Sequence, residues 1–279
     1  MAKSGRTASR GRAPTAMRIV GWTLAAIAVV VLAWFAWVGG HILWWRWNPP
    51  VETAFMAQRL GELRAKDPKA KLRYTWVPYD RISPNLKRAM IAAEDAKFVD
   101  HDGFDWDGIR KAMEKNDQRG RVVAGGSTIS QQLAKNLFLS PAKTYTRKAQ
   151  EAVITLLLEV MLPKRRIFEL YLNVIEWGDG VYGCEAAARR YYGKPASALE
   201  AQEAAGLAAM IPSPRRINPR VNPARHARAQ KRILWLMARA GYVRRDVGGL
   251  GAEPPPEVEA ESGPEPAEPE EPAQPPGEP

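Results

Sequence analysis

The hydrophobic pattern along the chain changes period several times, and each change marks an element. Over residues 19–40 there is no alternation: IVGWTLAAIAVVVLAWFAWVGG is 22 residues without a charge. At the helical rise this run spans the roughly 30 Å hydrocarbon core of a bilayer. Trp22 lies near one end, and Trp34, Trp37, Trp44, Trp45 and Trp47 gather at the other, as interfacial aromatic belts do. A cleaved signal peptide would have a shorter apolar core, about 7–15 residues, before a small-residue cleavage site. The run is therefore read as a permanent membrane anchor, and Asn48-Pro49-Pro50 ends it.

Beyond the anchor the period is mostly helical. Residues 53–66 place Phe55, Leu60 and Leu63 on one side, and 71–78 (KLRYTWVP) alternate as a short strand. Ser83-Pro84 opens a helix, with proline in its first turn, that runs through Leu86, Met90 and Ile91 to Glu94. Residues 106–115 predict another helix, and 116–124 (NDQRGRVVA) a mobile polar loop. Gly125-Gly126-Ser127 opens the next helix, with Ser127 as the expected N-cap. There Ile129, Leu133 and Leu137 form a buried stripe at i, i+4, i+8. Further helices are predicted over 146–162, stopped by Pro163, and over 165–174, with Ile167, Leu170, Tyr171 and Val174 as the core stripe. A link with Gly178, Gly180 and Gly183 leads to helices over 185–192, 198–209 and 224–240. With few strand signals, residues 48–245 read as one mainly α domain.

Charge adds two tails and a partner class. Residues 1–18 hold Lys3, Arg6, Arg10, Arg12 and Arg18 and no acid, a basic arm. Residues 252–279 are rich in Pro, Ala and Gly, with nine glutamates and no Lys or Arg. Such a segment cannot bury enough apolar surface to offset its chain entropy, so disorder is expected. The net charge is +11, and without the acidic tail it rises to about +20. That excess suits an anionic partner: phospholipid, pyrophosphate or nucleic acid. The basic arm precedes the anchor, so the N-terminus is expected in the cytoplasm and the domain beyond the membrane, which counts against nucleic acid. Cys184 stands alone and permits neither an internal disulfide nor a cysteine metal cluster.

Four segments carry candidate chemistry. Glu94 and Asp95 end an apolar helix, where a carboxylate is partly desolvated and becomes a better base. Taken alone, a solvated helix end and a hydrogen-bonded structural histidine are the ordinary readings of this pair and of His101. In GGSTISQQLAKN, Ser127, Gln131 and Lys135 share a spacing that would set a hydroxyl, an amide and an ammonium in line, and the helix start offers free N–H groups to anions. In KTYTRKAQE, Arg147 and Lys148 pair with Glu151 at i, i+4 and i, i+3, either as plain surface ion pairs or as a cation cluster for a pyrophosphate. In the fourth segment Glu169 and Asn173, at i, i+4, either line a cleft or are solvated. No metal cluster of recognisable spacing and no Ser-His-Asp order stands out.

Together these segments resemble the peptidoglycan glycosyltransferases. Glu94-Asp95-x-x-Phe98-x-x-His101-x-Gly103 matches the first motif, GGSTISQQLAKN the second, Arg147-Lys148-x-x-Glu151 the third and Arg166-Ile167-x-Glu169-x-Tyr171-Leu172-Asn173 the fourth. The likeness covers about residues 77–239 in the family's order, and the form is similar to the monofunctional, single-pass one. It implies a lysozyme-like, mainly α domain with head and jaw lobes, preceded by one transmembrane helix, in the bacterial inner membrane with its catalytic domain periplasmic. It implies polymerisation of lipid II: Glu94 as base and Glu151 as second catalytic carboxylate, orienting cations, binding a divalent ion or assisting at the donor. Ser127, Thr128, Gln131, Gln132, Lys135, Asn136, Lys143, Arg147 and Lys148 would bind substrate. Asp95, Phe98, His101 and Gly103 would shape the turn that aims Glu94. No cofactor is required on this reading, with Mg or Mn as an optional divalent cation. The partners implied are lipid II, the undecaprenyl-pyrophosphate-linked glycan, the membrane and proteins of cell-wall synthesis or division. Val122, Val123, Leu137, Phe138 and Leu139 are a candidate lipid-dipping segment. The alternatives are a lysozyme-like lytic enzyme and an inactive membrane scaffold.

Overall fold

The computed structural model describes residues 15–121, 125–142 and 144–244, together with Pro255. The basic arm up to residue 14, Val122, Val123, Lys143 and the expected disorder of the acidic tail lie outside the described residues. The chain divides into two compact units, Met1–Asn48 and Pro49–Pro279. In the first, α1 (Thr15–Trp45) runs longer than the uncharged stretch. Its span Met17–Trp45 is long and apolar enough to cross a membrane.

The second unit is mainly helical: α2 (Ala54–Arg64), α3 (Pro84–Glu94), α4 (Trp106–Arg119), α5 (Ile129–Phe138), α6 (Tyr145–Met161), α7 (Lys164–Val174), α8 (Cys184–Tyr192), α9 (Ala201–Ala208) and α10 (Pro223–Arg239). Side-chain caps fix several starts: Thr53 accepts from Met56 N–H, Ser83 from Asn85 N–H and Asn222 from Arg225 N–H. Three short strands, β1 (Arg73–Tyr74), β2 (Glu176–Gly178) and β3 (Val181–Tyr182), form a sheet in the order β1-β3-β2. β1 runs parallel and β2 antiparallel to β3. The strand expected over 71–78 thus shrinks to two residues, and the glycine-bearing link holds the other two. Gly180, at φ +67°, makes the turn between them, and its carbonyl accepts Arg73 N–H at 2.8 Å.

The loop expected over 116–124 is partly helix. Residues 116–119 contain no breaker, so α4 continues to Arg119 and stops at Gly120, whose left-handed φ of +61° closes the C-terminus. α5 packs against α6 and α7, while α3 packs against α9 and α10. The predicted stripes of α5 and α7 are buried: Ile129, Leu133, Leu137, Ile167, Leu170, Tyr171 and Val174. Leu137 and Leu139 are therefore core residues, and Phe138 is half-buried. α6 turns Glu151, Ile154, Thr155 and Leu158 inward and leaves Leu156 and Val160 exposed.

Candidate active site

Glu94 is the last residue of α3, and Asp95 is its C-cap. The two carboxylates diverge. Asp95 is buried, and its Oδ2 accepts the N–H of Ile129, the first residue of α5, at 3.0 Å. It also accepts from His101 Nε2 at 3.0 Å. His101 Nδ1 accepts Gly103 N–H at 3.2 Å, so the ring proton is on Nε2, directed at Asp95. Both ring nitrogens of the histidine are thus hydrogen-bonded. Phe98 is buried against Phe168, with ring centroids 5.5 Å apart. Gly103 has φ +93°, and a Cβ there would come within 2.8 Å of Thr155 Cγ2. The residues expected to shape the turn are thus gathered around it.

The start of α5 differs from expectation. Thr128, not Ser127, is the N-cap: its Oγ1 accepts Gln131 N–H, and Gln131 Oε1 accepts Thr128 N–H at 3.0 Å, a capping box. Thr128 Oγ1 also donates to Gly103 O at 2.7 Å. A Thr-x-x-Gln pair outcompetes Ser127 because both ends of the box are satisfied. The in-line row of Ser127, Gln131 and Lys135 therefore does not form. Ser127 is exposed ahead of the helix, and Gln131 is buried in its own cap. It is Gln132 that reaches the acidic pair: its Nε2 donates to Glu94 Oε2 at 2.8 Å. Asn136 is buried, with Nδ2 donating to Gln132 O at 2.8 Å.

The cations come from α5 and the first turns of α6. Thr144 caps α6 by accepting Arg147 N–H. Glu151 is only 3% exposed; Arg147 Nη1 meets its Oε2 at 2.7 Å, and Lys148 Nζ pairs with its Oε1. Arg147 Nε is buried without an acceptor among the described residues. Cations here share the positive end of the helix dipole, and Glu151 is the counter-charge that makes the cluster tolerable. Lys135 Nζ stands 5.9 Å from the centre of the Phe55 ring.

Burial pushes the Glu94 carboxyl above its ordinary value, partly opposed by the Gln132 hydrogen bond and by Lys135. Burial pushes the Lys135 ammonium down; Glu151 opposes this, while Arg147 and Lys148 add to it. The Glu94 carboxyl thus shares a field with Lys135, and Lys135 with Arg147, Lys148 and Glu151. A cavity of about 200 Å³ opens on Glu94, walled by Ala92, Ala93, Ala96, Asp105, Gly108 and residues 125–128. Both oxygens of Glu151 are taken by cations, and among the described residues no group of three His, Cys, Asp or Glu side chains could hold a metal.

In the fourth segment Glu169 and Asn173 turn to the backbone of an earlier stretch. Glu169 Oε1 accepts Tyr79 N–H at 2.9 Å, and Asn173 exchanges hydrogen bonds with the backbone of Val77 at 2.9 and 3.0 Å. Both residues clamp the stretch leading into α3. A support that spacing did not reveal is Glu159. It takes Ser130 Oγ and Lys164 Nζ, and Lys164 also reaches His101 O and lies over the Phe98 ring. Glu159 and Lys164 straddle the break at Pro163, so no helical register joins them.

A carboxyl with a raised pKa thus lies near a cation cluster, on a mainly α domain that follows an apolar helix. The transglycosylase family model matches residues 60–238, and the chain belongs to that family. The chain is 57% identical over 224 residues to the biosynthetic peptidoglycan transglycosylase of Azoarcus sp. (strain BH72), covering 79% of this chain and 97% of that protein. It is 62% identical over 192 residues to the protein of the same name from Laribacter hongkongensis (69% and 84% covered). It is also 62% identical over 203 residues to that of Dechloromonas aromatica (71% and 88%).

Proposed function

We propose that this chain is a peptidoglycan glycosyltransferase that polymerises lipid II into linear glycan strands. The donor is the growing chain on undecaprenyl pyrophosphate, and the acceptor is lipid II. Glu94 takes the proton of the acceptor GlcNAc 4-hydroxyl. The oxygen attacks the anomeric carbon of the donor MurNAc, a new C–O bond forms with inversion, and the bond to pyrophosphate breaks with its electron pair on the leaving oxygen. Lys135, Arg147 and Lys148 neutralise that charge, so the leaving group needs no proton. Glu151 orients the two cations it pairs with. Ser127, Gln132 and Asn136 border the sugars. No step is routed through a metal.

The observation that carries this reading is the raised Glu94 carboxyl beside Lys135 and the Arg147–Lys148–Glu151 cluster. The cation cluster weighs against the lytic alternative. Glycan hydrolysis uses an acid to protonate a neutral leaving group and generally a second carboxylate on the other face of the sugar, and both oxygens of Glu151 are engaged. The anchor fits lipid-linked substrates. With the basic arm cytoplasmic, the domain lies in the periplasm at the outer leaflet of the inner membrane. The test is the product. Incubated with lipid II, the protein is expected to consume it and form polymer. Shortening of preformed glycan without lipid II consumption would replace this reading with the lytic one, and no turnover of either would favour a scaffold.

A further inference from the structure

Tyr171 lies on the buried stripe of α7 with no exposed surface, its ring stacked near Phe168. Its hydroxyl is 3.2 Å from Gln132 Oε1, and Gln132 Nε2 donates to Glu94 Oε2 at 2.8 Å. A side-chain amide has one accepting and one donating end. A hydroxyl donor at Oε1 fixes the amide with Nε2 toward the carboxylate. Burial and the neighbouring Glu94 and Asp95 carboxylates push the phenol well above its ordinary value, so it remains a donor.

We propose that Tyr171 is a positioning residue for Glu94, acting through the Gln132 amide. The proposal rests on the reading of Glu94 as the base. With Oε2 held by Gln132, Oε1 is the oxygen left for the acceptor hydroxyl. Without the phenol the amide is free to turn over and present its own oxygen to the carboxylate. Glu94 then loses both its aim and a hydrogen bond that favours its ionised form.

The experiment compares Tyr171→Phe, Gln132→Met and the double variant on lipid II across a pH series, with thermal melts of each. Tyr171→Phe is expected to lower kcat about three- to tenfold, with KM within about twofold, and to move the acidic limb of kcat/KM to higher pH. The double variant is expected to be no slower than Gln132→Met beyond about twofold, because the tyrosine acts only through the amide. An acidic limb unmoved in Tyr171→Phe, or losses that multiply in the double variant, would overturn the proposal. A Glu94→Gln protein with wild-type rate would instead overturn the base assignment itself, whatever the tyrosine variants do.

Discussion

Asp95 Oδ2 accepts the backbone N–H of Ile129 at 3.0 Å, joining the end of α3 to the start of α5. The contact links the residue after the base to the helix that carries Gln132 and Lys135. A carboxylate on a helix N-terminus satisfies an orphan donor and meets the positive end of the dipole. Asp95→Ala removes that bond and leaves His101 Nε2 without its acceptor. The expected loss is about 1–3 kcal/mol of stability in denaturant melts, with polymerisation reduced but not abolished. A variant as inactive as one lacking Glu94, yet unchanged in stability, would mean that Asp95 does chemistry.

The two shifted groups predict a bell-shaped pH dependence of kcat/KM. Glu94 must be ionised to accept a proton. Its pKa is raised by burial, so activity falls as pH drops through a value above the ordinary 4.5. Lys135 must be charged. Its pKa is lowered by burial, so activity falls as pH rises through a value below 10.5. Lys135→Arg keeps the charge at any working pH and is expected to flatten the alkaline limb while leaving the acidic one in place. An alkaline limb unmoved by Lys135→Arg would assign it to another group.

The same burial makes Glu94 costly to the fold. Its folded pKa lies above the unfolded value of 4.5. The cost is therefore absent below that value, grows as pH rises toward the folded pKa and is complete above it. Glu94→Gln is expected to melt higher than wild type at about pH 8 and to lose that advantage at about pH 4. Equal melting differences at both pH values would contradict the desolvated carboxylate.

Glu151→Gln separates orientation from direct chemistry. Removing the charge leaves Arg147, Lys148 and the partly buried Lys135 without their counter-charge. A stability loss of about 3 kcal/mol is expected. Because Glu151 opposes the fall of the Lys135 pKa, the alkaline limb is expected to move to lower pH. If polymerisation ceased with that limb unmoved, Glu151 would be acting on the substrate directly.

How much of this was legible in the sequence depends on whether an interaction is local. The helices of the domain and the stripes Ile129–Leu133–Leu137 and Ile167–Leu170–Tyr171–Val174 follow from period, because each stripe is the face turned to the core. The cap of α5 was misplaced by one residue: serine is the better N-cap taken alone, and the Gln131 partner decides for Thr128. Glu169 and Asn173 read from spacing either as cleft-lining or as solvated. Their partners, Tyr79 and Val77, lie about 90 residues upstream, beyond any spacing rule. Gln132 on Glu94 spans 38 positions, and Glu159 reaches Ser130 across 29. Such contacts come from packing and leave no mark in local pattern.

The central claim is that Glu94 is the base that activates the acceptor. The direct measurement is the rate of lipid II polymerisation by the anchored protein and by Glu94→Gln, both shown to be folded by melting. A polymer-forming wild type and a loss of at least about a hundredfold in Glu94→Gln is the predicted result. A Glu94→Gln protein that polymerises lipid II at the wild-type rate would contradict it.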